Sequence, residues 1–224
     1  FPEIHQLLVV HLHIPLTGLL IGIIFRGVAF VFRHYDAVKD GSQKVYNRLF
    51  RYGSLISAFF LGVCAGAVLE GDFTADPVNF YDAFIAPWFN GFSLSVGVFT
   101  VAICAFLAAA YLIGERPEEA QMARFIDNAL VANILVIVSG VVALNFGGTE
   151  FYKDFIFGLG GLGMLLTTLG VGVFWWMLAH NRFQWARIVA AGQVSIILLA
   201  LLGTRGSGVM AGVDLWENAA PDAT

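Results

Sequence analysis

The chain has 224 residues, of which 58% are hydrophobic and only 12% are charged, and its mean hydropathy is +0.79. Soluble domains carry about 25% charged residues, so this composition excludes a water-soluble globular protein and indicates an integral membrane protein. In a membrane protein the formal net charge of −4 says nothing about nucleic acid. The sequence has no basic patch with interleaved aromatic residues, so we expect no nucleic-acid partner.

Six apolar segments, A to F, are long enough to cross a bilayer, which takes about 20 residues. In chain order they run over Ile4–Phe32, Leu49–Leu69, Trp88–Ile113, Phe125–Leu144, Phe155–Leu178 and Ile188–Leu202. They carry almost no charge and do not alternate apolar with polar residues as the strands of a membrane barrel do, so the pattern favours helices. The predicted fold class is therefore all-α: a polytopic transmembrane helix bundle forming a single domain over residues 1–224.

Segment A contains an arginine, Arg26, seven residues before its apolar run ends. Burying an arginine in a membrane costs at least about 2.5 kcal/mol, so such a residue is rarely accidental. Arg26 could snorkel along the roughly 10 Å that separates it from Arg33. It could instead pair inside the bundle, with Asp127 or Asn128 at the start of segment D as candidates. Arg26 and Arg33 share one helix face, which forms a cationic stripe.

Glycines recur at spacings that suit close helix packing. Gly18 and Gly22, and again Gly62 and Gly66, form small-xxx-small pairs. The run "GLGGLG" at 158–163 fits the dinucleotide-binding pattern, but that motif needs a preceding strand and a following helix. We expect this run to lie inside one continuous membrane segment, where its role is also packing.

Lysines and arginines in the loops and at the ends of the segments divide unequally between the two sides of the predicted bundle. The A–B, C–D and E–F loops carry nine of them: Arg33, Lys39, Lys44, Arg48, Arg51, Arg116, Arg124, Arg182 and Arg187. The opposite side has Lys153 and Arg205, and the acidic stretch 70–88 has none. The positive-inside rule therefore places these three loops in the cytoplasm.

The histidines raise the question of a haem site. His5, His11 and His13 lie near the outer start of segment A, whereas His34 and His180 lie at the cytoplasmic ends of segments A and E. No two helices offer matched histidines at one depth. We therefore predict that this chain binds no haem or metal through its own side chains.

Five stretches of the chain, taken in order, carry a family pattern. They are "HIPLTGLLIGIIFRGVAFVFR", "FFLGVCAGAVLEG", "FNGFSLSVGVFTVAICAFLAAAYLIGE", "WARIVAAGQVSIILLALL" and "DLWENAAPDAT". The first four resemble the third helix, the glycine-rich fourth helix, the Asn-Pro-Phe helix and the Ala-Arg-x-x-Ala-x-x-Gln helix of subunit II of the cytochrome bd-type quinol oxidases. The fifth resembles the segment before that subunit's last helix. The likeness is weakest across residues 146–175.

The resemblance implies a subunit of a terminal oxidase in the prokaryotic cytoplasmic membrane, in which quinol is oxidised and oxygen is reduced to water. It implies that haem b and haem d belong to the partner, subunit I, and that this chain supports the partner structurally or in a proton path. Membrane lipid is a further expected partner. Whether the complex also contains small single-helix subunits, and whether a structural quinone or lipid binds this chain, stays open.

The resemblance also bears on individual residues. The matched motifs carry Arg26, Arg33, Asn90 and Gln193. We expect proton-path or buried electrostatic roles for Arg26 and Arg33, with Asp127 added as a candidate partner by its position, and helix-packing roles for Asn90 and Gln193. Family members have about two helices before segment A and one after segment F, so we expect the natural chain to continue beyond both ends.

Two departures from the family pattern weaken the proton-path interpretation, and a third position cannot be compared. Val31 stands at the position of the acid between the motif aromatics, and Gly91 stands at the proline of Asn-Pro-Phe. The family's Trp-Asp-Gly motif lies upstream of Phe1. A second function class therefore stays open, a secondary transporter or channel subunit that uses Arg26 to hold an anionic substrate.

Overall fold

The computed structural model describes residues 2–35, 41–71, 73, 79–115 and 118–205. These residues form eight α-helices and no β-strand. The helices are α1 Pro2–Tyr35, α2 Ser42–Glu70, α3 Phe80–Phe84, α4 Gly91–Gly114, α5 Glu119–Phe146, α6 Gly148–Phe157, α7 Leu159–Ala179 and α8 Phe183–Arg205. The predicted all-α fold class is confirmed.

Six of these helices, α1, α2, α4, α5, α7 and α8, are long and apolar enough to cross a membrane. Each corresponds to one predicted segment, so the prediction of six spans is confirmed. Only 17% to 44% of the most apolar window of each span is buried within the chain. Most of the apolar side surface is therefore left for lipid or for other protein to cover.

Segment E differs from the prediction, because it is not one continuous helix. The chain breaks at Gly158, whose extended backbone (φ −97°, ψ −158°) separates α6 from α7. The two glycines at 160 and 161 permit the break. A Cβ on Gly160 would lie 2.5 Å from Cδ2 of Phe155, and one on Gly161 would clash with the carbonyl oxygen of Ile156. The "GLGGLG" run therefore starts α7, and α6 is the helix before it.

The stretch 70–88, predicted as an outer loop, contains the short helix α3. Its backbone hydrogen bonds begin at Asn79, whose carbonyl oxygen accepts from the Ala83 amide at 3.1 Å. The Phe84 ring packs edge-on against the His13 ring of α1, with 5.1 Å between the centroids. This contact holds α3 against the N-terminal half of α1.

The described residues divide into two compact units, one up to Val101 and the other from Ala102. In the first unit α1 and α2 form an extensive interface, and residues 91–101 of α4 pack on α2. Glycines make the second of these contacts close. A Cβ on Gly66 would lie 2.7 Å from Cα of Ser93. A Cβ on Gly97 would lie 2.8 Å from Cγ2 of Val63.

The second unit is built around a core rich in alanine. The rings of Phe106 and Phe174 meet edge to face there, with centroids 5.1 Å apart. The buried members of this core come from α4, α5, α7 and α8: Phe106, Ala109, Ala110, Ile113, Ala129, Ala132, Phe174, Leu178, Ala186 and Ala190. Small side chains at these positions let neighbouring helices approach closely.

The orientation given by the positive-inside rule can be tested by cysteine labelling of Gly41 and Asn79. Both residues are exposed, and a Cβ on Gly41 would meet no atom within 4 Å. In intact cells, we expect a membrane-impermeant thiol reagent to label Asn79→Cys but not Gly41→Cys. After permeabilisation, the reagent should also label Gly41→Cys. The parent chain, whose two cysteines lie within spans, provides the background. Labelling of both sites from the same side would contradict the topology.

Candidate functional site around Arg26

Arg26 lies where α1 and α2 cross with their backbones in contact. A Cβ on Gly53 of α2 would lie 2.9 Å from both the Arg26 amide nitrogen and the Gly22 carbonyl oxygen. A Cβ on Gly22 would lie 2.6 Å from the Ser57 amide nitrogen. These glycines set the distance between the helices, and the arginine side chain starts from the line of closest approach.

The guanidinium of Arg26 lies over the face of an aromatic ring of α2. Its Cζ atom is 5.6 Å from the centroid of the Phe50 ring, within the range of a cation–π contact. Phe50 precedes Gly53 by three residues, so the side chain leans about 4.5 Å along α2 toward the predicted cytoplasmic side. It therefore lies level with the start of segment B, where Phe50 stands between Arg48 and Arg51.

No carboxylate among the described residues of the first unit lies within ion-pair distance of Arg26. The ion pair found in the described part of the chain joins Arg187 to Glu115, with 3.4 Å between Nη1 and Oε1. The Arg26 side chain is also exposed on the surface of this chain. Its positive charge is thus positioned by α2 without being neutralised there.

Arg33 and Asp127 are both exposed. Arg33 lies in the last turn of α1, where a cation interacts favourably with the negative end of the helix dipole. Asp127 lies on α5 in the second unit. Its pairing with Arg26 stays a prediction.

The predicted packing glycines all lie at close helix contacts. A Cβ on Gly18 would lie 2.6 Å from Cε2 of Phe60 on α2, and Gly22 faces the α2 backbone. Gly62 faces Thr100 of α4, and Gly66 faces Ser93, two turns nearer the start of the same helix. A larger side chain at any of the four would have to displace a neighbour.

Asn90 and Gln193 make specific hydrogen bonds. Asn90 caps α4, because its Oδ1 accepts from the Ser93 amide at 2.7 Å. Gln193, which is 5% exposed, joins α8 to α7. Its Nε2 donates to the Thr167 carbonyl oxygen at 3.1 Å, and its side chain packs where Gly170 leaves room.

The sequence interpretation missed two residues of this site, Phe50 and Gly53. Nothing distinguishes Phe50 from the other phenylalanines of an apolar segment, because its contact depends on how α1 and α2 align. Gly53 carried a weak signal, because it is one more glycine in a helix that already contains the packing glycines Gly62 and Gly66.

A comparison with family models decides between the two function classes left open. The model described as cytochrome bd terminal oxidase subunit II matches residues 1–224. The chain belongs to this family. A search of curated proteins gave no match. Family membership makes the chain an integral protein of the prokaryotic cytoplasmic membrane and part of an oxidoreductase complex of the respiratory chain. It favours the oxidase over the transporter.

Within each unit, the described histidines do not lie on two facing helices. Histidine ligation from two facing helices needs one histidine on each. In the first unit all the described histidines lie on α1, and in the second the described histidine is His180. Among the described residues, no group of three or more His, Cys, Asp or Glu converges as it would for a metal ion.

Proposed function

We propose that this chain is the haem-free subunit that packs against the haem-bearing subunit I and supports its proton supply from the cytoplasm. Quinol oxidation and oxygen reduction then occur in the partner. The observation that carries the proposal is a positive charge, Arg26, within the α1 span on a surface that the described residues leave uncovered.

The energetics support a functional reason for keeping this arginine. Placing it in the membrane costs about 2.5 kcal/mol or more, and a desolvated cation–π contact returns about 2 kcal/mol. The ring of Phe50 therefore makes the charge tolerable. A leucine at this position would avoid the cost altogether, so the charge needs another reason for its presence.

An arginine cannot relay protons, because its guanidinium stays protonated. What it can do is orient water and favour the ionised form of a nearby carboxyl group. The motif position that carries an acid in the family is Val31 here, and this side chain is 50% exposed. The acid served by Arg26 must then come from elsewhere, with Asp127 and the partner subunit as candidates.

The proposal can be tested on the complex purified from native membranes through a tag on this chain. We expect a haem-containing partner to copurify and its visible spectrum to show haem b and haem d. Replacing His5, His11, His13, His34 or His180 singly with alanine should leave both haem contents unchanged, because none has a facing histidine in its unit. Loss of one haem species from a complex that still assembles would contradict the proposal, and so would a tagged chain that purifies without haem.

A further inference from the structure

The interface between α1 and α2 contains two aromatic contacts on the cytoplasmic side of Gly53. Phe50 lies under the Arg26 guanidinium. One turn nearer the start of α2, Tyr46 stacks on Phe32 of α1, with 5.7 Å between centroids and 18° between ring planes. Tyr46 and Phe50 are four residues apart and so share a face of α2.

We propose that Phe50 is a positioning residue for the oxidase, which fixes the Arg26 guanidinium over one face of α2 at the cytoplasmic end of segment B. The inference rests on the proposed function of Arg26. It goes beyond that function because it assigns a role to a residue of α2 that has no charge and no polar group.

An aromatic ring suits this task better than a carboxylate does. A carboxylate would also hold the guanidinium, but it would cancel the charge that acts on water or on an acid outside this chain. The face of a phenyl ring attracts the cation through its quadrupole and leaves the net charge at +1. The close approach at Gly22 and Gly53 contributes by bringing the ring within 5.6 Å of Cζ.

The test compares Phe50→Leu with Phe50→Tyr in the complete oxidase complex. We expect Phe50→Leu to lower the turnover number about three- to thirtyfold, the range that corresponds to losing a cation–π contact. The KM for quinol should not change, because the substrate site is elsewhere. Phe50→Tyr keeps the ring face and should restore most of the rate.

Phe60→Leu is the matched control, since Phe60 is a half-buried phenylalanine of the same helix that packs on Gly18 and not on a cation. We expect it to leave turnover within about twofold of wild type, well short of the range for a lost cation–π contact. In an Arg26→Leu background, Phe50→Leu should cause no further loss. An equal loss from Phe50→Leu with and without Arg26 would show that Phe50 only packs, and would overturn the inference.

The outcomes separate this inference from the proposed function. If Arg26→Leu alone retains the wild-type rate, the proposed function fails and the positioning role fails with it. If Arg26→Leu is impaired while Phe50→Leu is not, only the positioning role fails. Should Phe50→Leu assemble poorly, Phe50→Met of similar volume is measured, and yield is compared in both backgrounds. A yield loss that does not depend on Arg26 overturns the inference.

Discussion

Replacing Arg26 with leucine is expected to lower quinol oxidase turnover, or the yield of assembled complex, by two to three orders of magnitude. In the proposed function Arg26 pairs with an acid in the assembled complex, and removing one member of a buried charge pair costs about 3–5 kcal/mol, or roughly 10²- to 4 × 10³-fold. Without Arg26, the partner acid could instead take up a proton, and it would then no longer act in the proton route. Oxidase rate and complex yield in membranes are the quantities to measure.

Two further variants sharpen this result. Arg26→Lys keeps the charge but loses the planar fork, so a bidentate partner would still be impaired. Arg33→Leu, in the exposed last turn of α1, should have a much smaller effect. Wild-type rate and yield for Arg26→Leu would mean that Arg26 only snorkels, because removing a snorkelling arginine relieves an insertion cost and harms nothing.

Replacing Gly22 with leucine is expected to prevent stable assembly, and Gly22→Ala to lower the thermal stability of the complex. Even a single Cβ at this position would lie 2.6 Å from a backbone nitrogen of α2, an atom that cannot move aside as a flexible side chain can. Overpacking of this kind costs about 1–3 kcal/mol for small increments and more for a leucine. The fraction of complex that survives heating measures the effect.

Gly27 provides the control on the same helix. A Cβ there would meet no atom within 4 Å, so Gly27→Ala should leave stability close to wild type. Equal stability of Gly22→Ala and the wild-type complex would show that α1 and α2 can separate by a few tenths of an ångström without cost, and that the close backbone contact is not required.

The sequence was sufficient for the features that depend on composition along the chain. Six long apolar runs predict six spans because lipid demands an uninterrupted apolar helix, and the spans are present. The break at Gly158 could not be predicted this way, because hydropathy does not register a change in backbone direction. The helix α3 has five residues and is too short to show a period.

The surroundings of Arg26 were only partly predictable. Its cost in a membrane follows from residue type alone, which is why the sequence drew attention to it. The contact with Phe50 depends on the alignment of two helices, which no pattern within either helix specifies. Sequence reasoning favours a carboxylate, since opposite charge is the commonest partner of a buried arginine, and so overlooks the ring.

Consecutive spans form extensive interfaces in each unit, α1 with α2 and α7 with α8. Residues 180–182 alone connect the second pair. Contacts between neighbours in sequence require little loop closure, so they form early and fast. We therefore expect each pair to leave the insertion machinery as a preformed hairpin during synthesis. A substitution at one of their glycines would then disturb helix packing while the chain is still bound to the ribosome, before it meets the oxidase partner.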